Sequence, residues 1–120
     1  MRLCLVVLAL LVMSSSANAQ KGFEWMGFGT HTCAVFAKAY QGDPKVEVYY
    51  FTWAQGFMSG MNTFLRTNSS RAHDLSGIEL ANQRQYVRTY CDEHPSATYG
   101  EAVVILFEKM IPDEVDKTAK

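Results

Sequence analysis

Residues 43–66 read DPKVEVYYFTWAQGFMSGMNTFLR, and the choice between strand and helix for this stretch decides the fold. Val46 to Trp53 is β-branched and aromatic, the composition of a strand. The period argues for a helix: Tyr50, Trp53, Ala54, Phe57, Met61 and Phe64 fall on one face at spacings of three and four. Asp43-Pro44 adds a start signal, with Asp as N-cap and Pro at the first helical position. A helix is therefore predicted from about Pro44 to Arg66. Gly56 and Gly60 stand four apart inside it, each costing about 1 kcal/mol against Ala. That cost predicts close approach of another helix, so both are expected to be packing residues. Gln55, Ser59 and Asn62 make a polar stripe beside them, continued by Arg66. The stripe reads as a solvated edge or as a groove that receives a partner's backbone. It is the candidate partner-binding patch, with Tyr49 and Trp53 as neighbours of the kind found at interface hot spots.

Helical signals continue on both sides. Thr30 or Thr32 caps a short helix through Tyr40, with Cys33, Phe36, Ala37 and Tyr40 on one face and Gly42 at its end. A polar loop, Thr67 to Asp74, follows the long helix. Ser76-Gly77-Ile78-Glu79 reads as a capping box opening a third helix to about Glu93, with Leu80, Val87, Tyr90 and Cys91 inward. Pro95 closes it. Thr98-Tyr99-Gly100-Glu101 is a second box, opening a helix with Ala102, Val103, Leu106, Phe107 and Met110 inward, and Pro112 stops it. Gln20 to Gly29 reads as an irregular arm whose Phe23, Trp25 and Phe28 pack back on the domain. The expected fold is all-α, one four-helix domain over residues 20–112 with a frayed tail at 113–120.

The chain begins with an address. Met1-Arg2 is a short positive region, Leu3 to Met13 an apolar run of 11, and Ala17-Asn18-Ala19 an A-x-A cleavage pattern. Those three parts make a secretory signal peptide cleaved after Ala19, suited to a bacterial periplasmic or secreted protein. The run is half the roughly 20 apolar residues a membrane anchor needs. Arg2 is the one charged residue in it, so residues 20–120 carry ten Lys+Arg, twelve Asp+Glu and a net charge of −2. That balance argues against nucleic acid as a partner. Cys4 leaves with the signal. Cys33 and Cys91 remain, and an oxidising compartment pairs them. Closing that loop restricts the unfolded chain by roughly 4 kcal/mol.

His31-x-Cys33 and Cys91-x-x-His94 resemble a metal set, but oxidised sulfurs cannot ligate zinc, and no metal or other cofactor is expected. Two imidazoles beside one disulfide make His31 and His94 a candidate pH-sensing pair, because each disfavours protonation of the other. His73-Asp74 are sequence neighbours whose side chains point apart, and no carboxylate pair stands out. No catalytic residue is assigned, although a small cell-envelope hydrolase stays as an alternative.

YYFTWAQGFMSGMN followed by QYVRTYCDEHPSATYGEAVVILFEKMIP resembles the Tai-type immunity proteins, small secreted helical proteins that neutralise type VI amidase effectors. Gly56, Gly60, His94, Pro95, Ala102 and Pro112 match that family's outline. The match covers about 65 residues and lacks two of the family's cysteines. Thr32-Cys33-Ala34-Val35-Phe36 with Cys91 looks like the cysteine frame of the Hde-type periplasmic acid-stress chaperones. Both resemblances imply a non-enzymatic protein whose partner is another protein: an effector enzyme in the first case, acid-unfolded clients in the second. A homodimer is compatible with either.

Overall fold

Thr32, one of the two threonines offered by the sequence, caps α1 (Cys33–Gly42): its hydroxyl accepts the Val35 N–H at 3.3 Å. The computed structural model to which this belongs describes residues 26–69, 71–110, 112 and 113. The expected signal peptide, Phe23 and Trp25 of the arm, and residues 114–120 lie outside the described residues. Asp43 accepts the Lys45 N–H at 3.0 Å, with Pro44 next in line. The turn it opens is 3-10, Pro44–Val46, and runs straight into α2 (Glu47–Asn68), so the strand alternative falls. α3 (Leu80–Glu93) and α4 (Tyr99–Lys109) complete an all-α fold. Among the described residues the strands are two-residue pieces: β1 (Ala72–His73) lies antiparallel to β2 (Pro112–Asp113), Ala72 opposite Asp113.

The two expected capping boxes fare differently. At α4 the box is complete: Thr98 Oγ1 accepts the Glu101 N–H at 3.1 Å, and Glu101 Oε2 accepts the Thr98 N–H at 2.6 Å. At α3 the box is absent. Asp74 Oδ1 takes both the Ser76 N–H at 2.9 Å and its hydroxyl at 2.6 Å, forming a turn before the helix begins. The helix then starts at Leu80, which is 49% exposed rather than inward. Leu75 and Ile78 pack on the core instead, and their carbonyls accept from the buried Gln83 amide at 3.0 and 2.6 Å. A local turn with a carboxylate acceptor outcompetes the hydroxyl cap.

α4 is the core helix. Ala102, Val103 and Leu106 are fully buried, and α4 packs on both α3 and α2. α1 is stitched to the loop before α4: Cys33 N–H donates to Ala97 O at 2.8 Å, Ala34 N–H to Pro95 O at 3.0 Å, and Tyr99 N–H to His31 O at 2.8 Å. The Ala97 and Pro95 carbonyls satisfy N–H groups of α1's first turn, and the His31 carbonyl one of α4's first turn, none of which has a partner inside its own helix. Beside them Cys33 and Cys91 are bonded, Sγ–Sγ 2.15 Å, tying α1 to α3. Such a bond persists in oxidising compartments. No helix among the described residues is long and apolar enough to cross a membrane.

Tyr99 lies at the centre of this packing, 1% exposed, against Phe36, Tyr50 and Trp53. Burial first, then the negative charge of Glu47 and the neighbouring Tyr50, raise its pKa far above the ordinary phenol value. A raised folded-state pKa contributes stability that is complete below the unfolded value of about 10 and lost as pH rises above it. Tyr99→Phe is therefore expected to lose less stability between neutral and strongly alkaline pH than the parent chain. Urea midpoints across that range check it, and parallel losses would remove Tyr99 as the alkaline-sensitive group.

α2 buries a different stripe from the one the period suggests. Tyr50 and Ala54 are buried as expected, but Phe51 and Met58 are buried with them, while Phe64 is 65% exposed. Trp53, Phe57 and Met61 are half-buried. The inner face is rotated by less than one residue step of about 100°. The cause is length: at about 33 Å, α2 overhangs the roughly 17 Å of α4 on which it packs. Its flank at Trp53 is covered by the 3-10 turn Gly27–Thr30, where the sequence suggested an irregular arm. Phe28 packs on the core as expected, and Trp53 Nε1 donates to Met26 O at 2.8 Å. Gly29 is required there, because a Cβ would lie 2.3 Å from the Trp53 ring.

Candidate protein-interaction site

The polar stripe is partly assembled into one feature. Ser59, Asn62 and Arg66 line an open groove of about 290 Å³ with Thr63, Thr67 and Leu75. Gln55 stands exposed one turn earlier on α2 and does not line it. The groove exists because the loop after α2 folds back along the overhanging half of the helix. Leu75, the first apolar residue after the polar loop, forms part of its wall.

Asn62 holds the loop in place. Its Nδ2 donates to His73 O at 2.9 Å, and its Oδ1 accepts the His73 N–H at 2.7 Å. This pairs both backbone groups of β1's outer residue with one side chain. The His73 ring lies 4.4 Å from Phe107, and its Nδ1 donates to Met110 O at 2.9 Å. The loop is thus pinned to α2 on one side and to the end of α4 on the other. Asn62→Ala is expected to destabilise the fold by about 1–3 kcal/mol, since it leaves two partly buried backbone groups unpaired. Ser59→Ala, at an exposed position, is expected within about 0.5 kcal/mol of the parent. Urea unfolding of the two variants checks this, and equal losses would contradict the division of roles.

Gly56 and Gly60 do not pack against another helix of this domain. A Cβ built at either meets nothing within 4 Å among the described residues, and both are exposed. The helix turns them away from the core because the buried positions Glu47, Phe51, Ala54 and Met58 lie on the opposite side. Around them α2 carries no charged residue from Val48 to Leu65, although Val48, Tyr49 and Phe64 are 56%, 63% and 65% exposed.

The two histidines near the disulfide take separate tyrosine partners. His31 Nδ1 and the Tyr50 hydroxyl share a hydrogen bond of 2.6 Å, and the His31 ring stands edge-on to Phe28. His94 is exposed, stacks on Tyr90 at 4.2 Å, and donates from Nδ1 to Tyr90 O at 2.9 Å. The cysteines between them are spent on each other. Asp74 sits with Ser76 rather than with His73, and those hydrogen bonds lower its pKa below the usual carboxylate value.

A charged contact reaches into the core. Glu47, 8% exposed, pairs with Arg88 of α3, whose guanidinium also covers the Tyr40 ring and donates to Gln85 Oε1 at 2.9 Å. It fastens the first turn of α2 to α3, away from the groove. Neither residue belongs to a recognisable motif, so the pair is not legible in the sequence. No known protein family, curated protein or solved structure matches the chain.

Proposed function

We propose that this chain is a non-enzymatic protein-binding module of the bacterial cell envelope, of the inhibitor or immunity type, directed against a secreted enzyme. The observation that carries the reading is the groove of Ser59, Asn62, Arg66 and Leu75 on a helix that carries no charge from Val48 to Leu65. Interface cores are depleted of charge and enriched in aromatic side chains and arginine. Arg66 at the groove and Tyr49 and Phe64 along the helix supply those groups. An inhibitor also needs a preorganised surface, since ordering side chains and loops on binding costs affinity. The Asn62–His73 pairing and the Cys33–Cys91 bond both favour rigidity.

Ser59→Arg tests the reading, because it fills the groove without touching the core. Its affinity for a protein captured from the envelope should fall at least tenfold, about 1.4 kcal/mol. The same change at the exposed Thr89 on α3 should leave binding intact. Equal binding by both variants would remove the groove as the interface.

A second reading, an acid-activated chaperone, draws on the Cys33–Cys91 bond, which would hold the chain together while the excess positive charge of an acid medium loosens the helices. Reversible dye binding with a change in sedimentation under acid would favour this reading. An unchanged sedimentation coefficient and a dark dye would exclude it.

A further inference from the structure

We propose that the outer face of α2 is a self-association surface, on which a second copy of this chain packs through antiparallel α2 helices crossing at Gly56 and Gly60. The face overlaps the groove at Thr63 and Thr67 but does not depend on it. Val48, Thr52, Gly56, Gly60 and Phe64 form a single row at intervals of four, the ridge that interdigitates in the commonest helix crossings. All five are exposed, and the two glycines at the middle have open space above them. The threonines on this side spend their hydroxyls on their own helix: Thr52 on Val48 O at 2.7 Å, Thr63 on Ser59 O and Thr67 on Thr63 O, both at 2.9 Å. The surface is thereby less polar than its composition.

Two features select a second copy as the occupant. A two-fold axis brings like charges towards each other, so a charged face repels itself, whereas this one has no charge from Val48 to Leu65. Arg66, the next charge towards the C-terminus, lies eight residues from the crossing point. The two copies of its backbone would then be about 24 Å apart, well beyond the screening length of about 8 Å. The row is also complementary to itself. In an antiparallel crossing centred between the glycines, Gly56 meets Gly60 of the second copy, and Thr52 meets Phe64 of the second copy. Small groups let the backbones approach at the centre, and the exposed phenyl rings close the flanks.

Sedimentation velocity on the full chain, exported by its own N-terminus and oxidised, tests the proposal across a range of concentrations. A reversible monomer–dimer equilibrium is expected. Gly60→Gln and Phe64→Ser should each raise its dissociation constant at least tenfold while far-UV circular dichroism and the thermal midpoint extrapolated to low concentration hold. The proposal is overturned by a monomer at every concentration, which leaves the face to a different protein or to another part of the chain. It is equally overturned by a dimer whose constant either variant leaves unchanged.

Discussion

Replacing Cys33 and Cys91 together by alanine is expected to lower the stability of the folded chain by about 4 kcal/mol. The bond joins residues 58 apart, and in the chain-entropy model a loop of that length restricts the unfolded ensemble by about that amount. Both cysteines are 0–1% exposed, so removing the sulfurs also takes packing from the contact between α1 and α3. Small domains have only about 5–15 kcal/mol in total. The loss should therefore be a large fraction of stability, with α1 the first element to detach. Its remaining ties include the backbone bonds to Pro95 and Ala97 and the packing of Phe36 on Tyr50 and Tyr99. Urea titration of the oxidised parent and the double variant measures the difference. A loss below about 1 kcal/mol would mean that the unfolded chain is already compact enough for the bond to add little.

Phe36→Ala is expected to cost about 3–5 kcal/mol, the range for emptying a buried aromatic site. Phe36 is 2% exposed and packs on Tyr40, Tyr50 and Tyr99 with ring centroids 6.2, 4.8 and 4.9 Å away. These rings are fixed by three separate elements, so collapse into the cavity is restricted and the cost belongs at the upper end. The Tyr50 hydroxyl bond to His31 should loosen with it. The contrast is Phe64→Ala, at a 65% exposed ring, which should leave monomer stability within about 0.5 kcal/mol. Chemical denaturation and near-UV circular dichroism of the pair test this. Similar losses at both positions would contradict the placement of α2's inner face.

The helices were legible wherever a cap and a period agreed. Thr32, Asp43 and the Thr98–Glu101 box all act as read, and α4's inward set is buried as read. The pairing of Cys33 with Cys91 agrees with the expectation drawn from the cysteine count. Expectations failed where a non-local or competing partner decided. Asp74 captured Ser76, so the helix at 76 never formed, and Leu75 and Gln83 took the place expected for Leu80. Phe64 was counted inward because it fits the period. Period cannot reveal that α2 outruns the helix it packs on. The polar stripe was read as one surface, yet Asn62 turned out to be a loop clamp and Gln55 to lie outside the groove. The glycines were expected to face a neighbouring helix of the same domain, and among the described residues the space above them is open.

Site-specific photocrosslinking in living cells tests the protein-binding account most directly. A photoactivatable phenylalanine analogue at Ser59 or Gln55 should give a discrete adduct whose mass exceeds the monomer by something other than a second copy. The same analogue at the exposed Thr89 on α3 should give none. Adducts of equal yield at all three positions, or no adduct with another protein at any, would contradict a dedicated partner surface on α2.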